Sequence, residues 1–276
     1  MTGPLLAIFP HPDDETFSAG GLLAAAAGHG VPVTVISATR GEAGESSIPD
    51  LDDPDRLGAV RENELREAMG ALGVADVRFL GYRDSGIEPG SSSDPRCLTQ
   101  ADSASVAEEL AAVIRDLRPA TVVTFGRDGI YGHQDHIRLH EIVLEAVVAA
   151  GSSVDSPWRT PYLYFATTPR EEMQALLERP NSPLAWMTPE MRANLGTPRA
   201  EITHTLDLSP WAERKREAIF AHRTQIAPGG PLSDITPEQI ERWLSREFFV
   251  RATLPWPAAG GIDDIVTELA AGQSAE

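Results

Sequence analysis

Five apolar residues in a row, Leu5–Phe9, begin the pattern. A run without polar alternation predicts a strand buried on both faces. Glu15–His29, rich in Ala and Leu and ending between Gly28 and Gly30, predicts a helix. The β-branched run Val31–Thr39 predicts a second strand. The same alternation continues with a helix over Asp55–Leu72, a strand over Val77–Tyr82 and a helix over Ser103–Arg118, which Pro119 ends. A strand over Thr121–Gly126, a helix over Gln134–Ala150 and a strand over Tyr162–Ala166 follow. Strands alternating with helices at this spacing predict an α/β fold, Rossmann-like, with a mostly parallel sheet and helices on both faces.

After Thr167 the pattern loosens. Helices are expected near Arg170–Leu177, Pro210–His222 and Pro237–Arg246, and a strand over Glu247–Leu254. "PWPAAGG" then breaks the chain, and a short acidic tail closes it. The expected organisation is one domain over residues 1–276. It divides into an α/β core (1–170), an elaboration that shapes a pocket (171–255) and a tail (256–276). The polar loop Ser85–Ser93 is the one low-complexity stretch, and no internal repeat is visible.

Composition narrows the function. The formal net charge of −18 argues against a nucleic-acid partner, because phosphate binding needs a basic face. A single cysteine, Cys97, excludes an intramolecular disulfide and a cysteine-rich zinc site. With no signal-peptide pattern and no apolar run near the ~20 residues that span a bilayer, a cytoplasmic location away from the membrane is expected. The first strand is not followed by G-x-G-x-x-G; Gly20 and Gly21 fall inside the helix, so the dinucleotide reading fails.

Two stretches place unusual chemistry at strand ends, where open α/β sheets bind ligands. The first is His11-Pro12-Asp13-Asp14-Glu15, and the second is "YGHQDH", Tyr131–His136. Histidine and carboxylate are ordinary ligands of a divalent metal, zinc above all. His11 and one of the neighbouring aspartates supply two ligands from one turn, and a histidine of the distant turn completes the set. If Asp14 binds metal, Asp13 is free to serve as a base beside it. His133 and His136, three apart, share a face of a helical first turn. Each feature alone has a plainer reading: either aspartate as an N-cap, His11 as a surface histidine, His140 as an exposed helix residue. The coincidence of two His/Asp clusters on one sheet edge weighs against it.

"PHPDDE" and "GHQDH" resemble the two signature blocks of the PIG-L/LmbE-like metal-dependent de-N-acetylases. "TRGEAGE" (Thr39–Glu45), "RENEL" (Arg61–Leu65) and "GYRDSG" (Gly81–Gly86) agree, and "AHRTQ" (Ala221–Gln225) agrees more weakly. The resemblance covers roughly residues 5–150. It implies one zinc per chain, with ferrous iron as the alternative, held by His11, Asp14 and His136. Asp13 is then the general base. His133 polarises the substrate carbonyl with Asp135 orienting its ring, and Tyr131 assists at the oxyanion. Arg61 and Asp84 match positions that contact sugar hydroxyls. Gln134 replaces the usual proline of the second block and is not a ligand.

The implied activity is hydrolysis of a linear amide bond in a small N-acylated amino sugar or a thiol conjugate. A conjugate amidase or a natural-product tailoring deacetylase keeps the same metal core. A non-catalytic metal binder is disfavoured because the base and carbonyl-polarising positions are both filled. A two-metal phosphoesterase is disfavoured because ligands are countable for only one metal. Oligomeric state is not readable from the sequence.

Overall fold

The structure, a computed structural model, describes residues 2–272 apart from 47, 89, 91–92, 181, 183, 186, 194, 227–236 and 258–262. Parts of the Ser85–Ser93 loop and of "PWPAAGG", and the tail end from 273, lie outside the described residues.

Among the described residues the first half alternates as expected: β1 (Leu5–Phe9), α1 (Asp14–Gly28), β2 (Val33–Ser37), α2 (Pro54–Leu72), β3 (Asp76–Phe79) and α3 (Ser103–Leu117). There follow β4 (Thr121–Phe125), the short α4 (Gly129–Gly132), α5 (Gln134–Ser152) and β5 (Tyr162–Thr167). The remainder is α6 (Arg170–Leu177), α7 (Pro189–Ala193), β6 (His204–Asp207), α8 (Ala212–Ala221), α9 (Pro237–Ser245), β7 (Arg246–Arg251) and α10 (Ile265–Gly272). The seven strands make one sheet in the order β3-β2-β1-β4-β5-β7-β6. β1 to β5 are parallel, while β7 runs antiparallel to both β5 and β6.

The unbroken apolar run of β1 has the predicted cause. Leu5, Ala7 and Phe9 face a core made with α1, α2 and the C-terminal segment. Leu6 and Ile8 face a second core made with α3 and α5. Successive strand side chains point to opposite faces, so a strand covered on both sides has no polar position to spare. Helix α1 is buried on nearly every side over Ala19–Ala26. Its small residues permit this: Lys215 packs on Gly20, and the Trp211 ring occupies the space a Cβ on Gly28 would take.

Three C-terminal elements were not expected: the five-residue α7, β6 and α10. β6 is an edge strand in which only Leu206 is buried, so it carries no apolar alternation to read. The expected tail contains α10, whose Ile265 and Val266 are buried in the core beside α1. Leu269 and Ala270 pack on the same core one turn later, but a helix of two turns is too short for its period to stand out in sequence.

Candidate active site

The strand order reverses direction between β1 and β4: β2 and β3 lie to one side, β5 to the other. Such a switch point opens a crevice at the carboxyl ends of the strands. Both His/Asp clusters stand there, one on the turn from β1 into α1, the other on the turn from β4 into α5.

In the first turn, Asp14 Oδ2 accepts the His11 main-chain N–H at 3.0 Å and lies 3.2 Å from His11 Nδ1. Asp13 occupies the N-cap position of α1 but makes no side-chain cap, which sets aside the plain capping reading. Its backbone sits at φ 116°, ψ −34°, a region that residues with a Cβ rarely adopt. In the second turn, His133 is the N-cap of α5, and its Nδ1 accepts the Asp135 N–H at 3.1 Å. His136 follows one turn on, its ring stacked on His133 with centroids 4.9 Å apart.

The hydrogen bonds assign the imidazole protons. His136 Nδ1 is 3.1 Å from the Gly129 carbonyl and must donate to it, leaving a bare lone pair on Nε2. That buried lone pair lies 3.3 Å from Asp14 Oδ2 and has no hydrogen-bonding partner in suitable geometry. His11 Nε2 faces Asp135 Oδ2 at 3.1 Å and Asp84 Oδ1 at 3.4 Å, so its proton belongs there and Nδ1 turns its lone pair to Asp14. Three electron-rich atoms, His11 Nδ1, Asp14 Oδ2 and His136 Nε2, therefore converge with contacts of 3.2 and 3.3 Å. A tetrahedral zinc with bonds of about 2.0–2.2 Å holds its ligands at about this separation. The residues thus fit a metal ion, and the carboxylate behind His11 is the usual partner of a metal-bound imidazole. Among the described residues, two groups lie close enough to hold a metal, His11 with His133 and His136, and His11 with Asp84 and Asp135; both share His11, so with Asp14 between His11 and His136 they form one site rather than two.

His133 differs from the other two. With Nδ1 occupied as an acceptor, its proton sits on Nε2, which makes it a donor. Burial, with the imidazoles of His11 and His136 adding to it, pushes its pKa down to about 2, so the ring stays neutral. Burial pushes the Asp13 carboxyl up to about 6, against the opposing pull of the Arg61 guanidinium. Burial would also raise Asp14, but the His136 and His11 imidazoles outweigh it and hold that group well below the carboxylate range. Burial would lower His11, yet Asp84, Asp135 and Asp14 together drive its pKa well above the usual value. A proton on His11 and a cation at the convergence point answer the same negative field.

The remaining expected site residues lie around this centre. Tyr131, on α4, packs edge-on against His136 at 5.2 Å. The Asp135 carboxylate points to His11 and to the Ser85 N–H (2.9 Å), so Asp135 holds His133 through its main-chain N–H rather than its side chain. Asp84 accepts main-chain N–H groups from Gly86 and Ala43 and touches His11. Arg61 donates to the carbonyls of Gly41 and Pro12 and to Asp13, at 2.8, 2.7 and 3.3 Å, and retains one buried N–H, at Nε, without a partner. Its guanidinium fills the space beside Gly41 and Gly44 where any Cβ would clash, which explains the two glycines of "TRGEAGE". Gln134 anchors the loop beyond Asp84 through the carbonyls of Ser85, Gly86 and Glu88.

Several buried polar residues escaped the sequence reading. His140 is buried, not exposed, and bonds the last carbonyl of β4, Phe125, at 2.9 Å. Glu15 and His222 are fully buried 3.7 Å apart behind Asp13, and Glu64 receives Thr224. The weak "AHRTQ" block was the one available signal for His222 and Thr224. Among the described residues no helix is long and apolar enough to cross a membrane.

The chain is 37% identical over 271 residues to the 1D-myo-inositol 2-acetamido-2-deoxy-alpha-D-glucopyranoside deacetylase of Thermobifida fusca, covering 93% of this chain and 95% of that one. Its fold matches N,N'-diacetylchitobiose deacetylase from Pyrococcus horikoshii with a TM-score of 0.60 at 20% identity, over 91% and 84% of the two chains. It also matches GalB, the 4-carboxy-2-hydroxymuconate hydratase of Pseudomonas putida KT2440, at 0.61 and 18% identity, over 94% and 99%. The last match shows that this scaffold also serves a hydratase, so the fold alone does not choose the reaction. The GlcNAc-PI de-N-acetylase family model matches residues 6–147, across both His/Asp turns. The chain belongs to the PIG-L family of de-N-acetylases.

Proposed function

We propose that the chain is a zinc-dependent deacetylase that removes the acetyl group from an N-acetylated amino sugar. N-acetylglucosaminyl-inositol, the sugar named for its relatives, is the leading substrate. The observation that carries the metal reading is the lone pair of His136 Nε2, fixed by the Gly129 carbonyl and set against the Asp14 carboxylate. His11, Asp14 and His136 would hold the ion. A zinc ion bound there would supply a water acidified to a pKa of about 7 and a Lewis acid for the amide carbonyl.

The chain's own groups do the rest. Asp13, ionised near neutral pH, accepts a proton from the attacking water. The developing negative charge on the carbonyl oxygen meets the Nε2–H of neutral His133, with the Tyr131 hydroxyl beside it. A neutral imidazole donates a hydrogen bond but is a poor acid, so Asp13 also delivers the proton to the departing nitrogen. The C–N bond breaks, acetate leaves and the free amine forms. Asp135 keeps His11 in one tautomer. Asp84 and Arg61 stand beside the sugar in this reading, Asp84 with a carboxylate lone pair left over from its main-chain bonds and Arg61 as the cation that braces Asp13.

The test is amine release from N-acetylglucosaminyl-inositol by purified protein, with chelator and with zinc or ferrous iron restored. Loss with chelator and recovery with zinc is the expected result. No release in any metal-loaded state overturns the substrate assignment, and release indifferent to chelator overturns the metal.

A further inference from the structure

Resting on the reading of Asp13 as the base, we propose that Glu15, Thr16 and His222 are positioning residues. With Arg61 they clamp the Pro12–Asp13 peptide and thereby aim the Asp13 carboxylate. Both polar ends of that one peptide unit are held by buried charged side chains. The Pro12 carbonyl accepts from Arg61 Nη2 at 2.7 Å, and the Asp13 N–H donates to Glu15 Oε2 at 3.2 Å. The torsion next to this peptide is the φ of 116° at Asp13. A conformation so sparsely populated persists only where its surroundings over-determine it. Rotation of the peptide about its flanking torsions would relieve φ and swing the Cα–Cβ bond, carrying the carboxylate away from its place beside Asp14.

The Glu15 side of the clamp is itself fixed. Glu15 is fully buried, and its Oε1 accepts the Thr16 hydroxyl proton. Thr16 Oγ1 lies 3.1 Å from His222 Nε2. A hydroxyl has one proton and it is spent on Glu15, so Thr16 must accept from His222 Nε2–H. The relay therefore runs one way: His222 to Thr16 to Glu15, which receives the Asp13 N–H on its other oxygen. His222 is 206 residues from Thr16 and stands at the end of α8. Two residues on, Thr224 bonds Glu64 on the helix that also carries Arg61. The end of α8 and the residues just after it thus brace both jaws of the clamp.

Thr16→Val removes the hydroxyl and nearly keeps the shape; Thr16→Ser keeps the hydroxyl. Three properties of the metal-loaded protein decide: kcat and KM on N-acetylglucosaminyl-inositol, bound metal, and hydrogen exchange of the Asp13 amide by NMR. In Thr16→Val we expect kcat to fall at least tenfold with KM and metal content within twofold, and the Asp13 amide to exchange at least tenfold faster. Thr16→Ser restores both. A merely structural role would lower thermal stability and leave the rate and that amide unmoved. Unchanged Asp13 exchange in Thr16→Val overturns the proposal whatever the rate does. If the wild-type protein releases no amine from this sugar, the functional reading fails by that observation, and the exchange comparison still decides the clamp. Should Thr16→Val not fold, His222→Phe is expected to lose Asp13 protection and His222→Gln, which can still donate, to keep it; protection retained in His222→Phe overturns the relay.

Discussion

Two buried clusters of charge flank helix α1, and they are built on opposite plans. At its middle, Lys215 Nζ meets Glu247 Oε1 at 2.9 Å. Glu247 also accepts the N–H groups of Gly21 and Leu22, at 2.7 and 3.0 Å. One positive charge faces one negative charge, and the carboxylate is fully engaged. At the N-terminal end, three carboxylates, Asp14, Asp84 and Asp135, crowd around His11, and His136 Nε2 and Asp135 Oδ1 lack hydrogen-bonding partners. Burying charge is costly in both places unless it is compensated. Where the protein compensates it internally, the cluster is a staple holding the C-terminal segment to the core. Where the balance is left open, the cluster is a site that calls for a cation.

Substitutions can break or sharpen this contrast, and the largest effect belongs to the open cluster. His136→Ala should lose stoichiometric metal, measured by elemental analysis, and bring amine release to background. Retention of full metal would dismantle the ligand set. Asp13→Asn should keep the metal and lower kcat by roughly 10²–10⁴-fold, the usual worth of a positioned base. A rate within tenfold of wild type would move the base elsewhere. In the closed cluster, Lys215→Met leaves Glu247 buried without its cation and should cost about 3–5 kcal/mol in urea unfolding. Metal content and kcat of the folded fraction should be unaffected; a stability loss under about 1 kcal/mol would deny the staple.

The pH profile gives a finer separation. A base works deprotonated, so activity is present above its folded pKa and is lost as pH falls through it. Asp13 is raised to about 6 by burial, and a bound cation favours the carboxylate. The acid limb of kcat/KM in the loaded enzyme should therefore lie at or below pH 6. A limb above pH 7 would belong to another group. The smallest effect is expected at Tyr131→Phe, about three- to tenfold in kcat, the worth of one net hydrogen bond. A loss beyond a hundredfold would make Tyr131, not His133, the principal oxyanion donor.

Apart from the short α4, residues 5–170 follow the expected element order, with boundaries mostly within two residues, and both His/Asp turns fall where expected. The reason is local. A strand covered on both faces must be apolar throughout, and a helix start or stop leaves its mark in adjacent residues. The two His/Asp turns were equally legible because each is written within six residues and both fall at the switch point of the sheet. Beyond residue 170 the helices α6, α8 and α9 were found, but α7, β6 and α10 were not. An edge strand with one buried side chain and helices of one or two turns carry too little pattern.

What the sequence determined by itself, then, was the alternating architecture and the inventory of reactive groups. The tertiary structure alone decided how those groups are used. It turned the Asp135 carboxylate toward His11 rather than His133, buried His140 under β4, and brought His222 behind Glu15. It also held Asp13 at a positive φ. His11–Asp135 and Thr16–His222 join residues 124 and 206 positions apart. Such pairings carry no periodicity, because the partner of a buried polar group is set by which surfaces the packed core brings together, not by its neighbours in the chain.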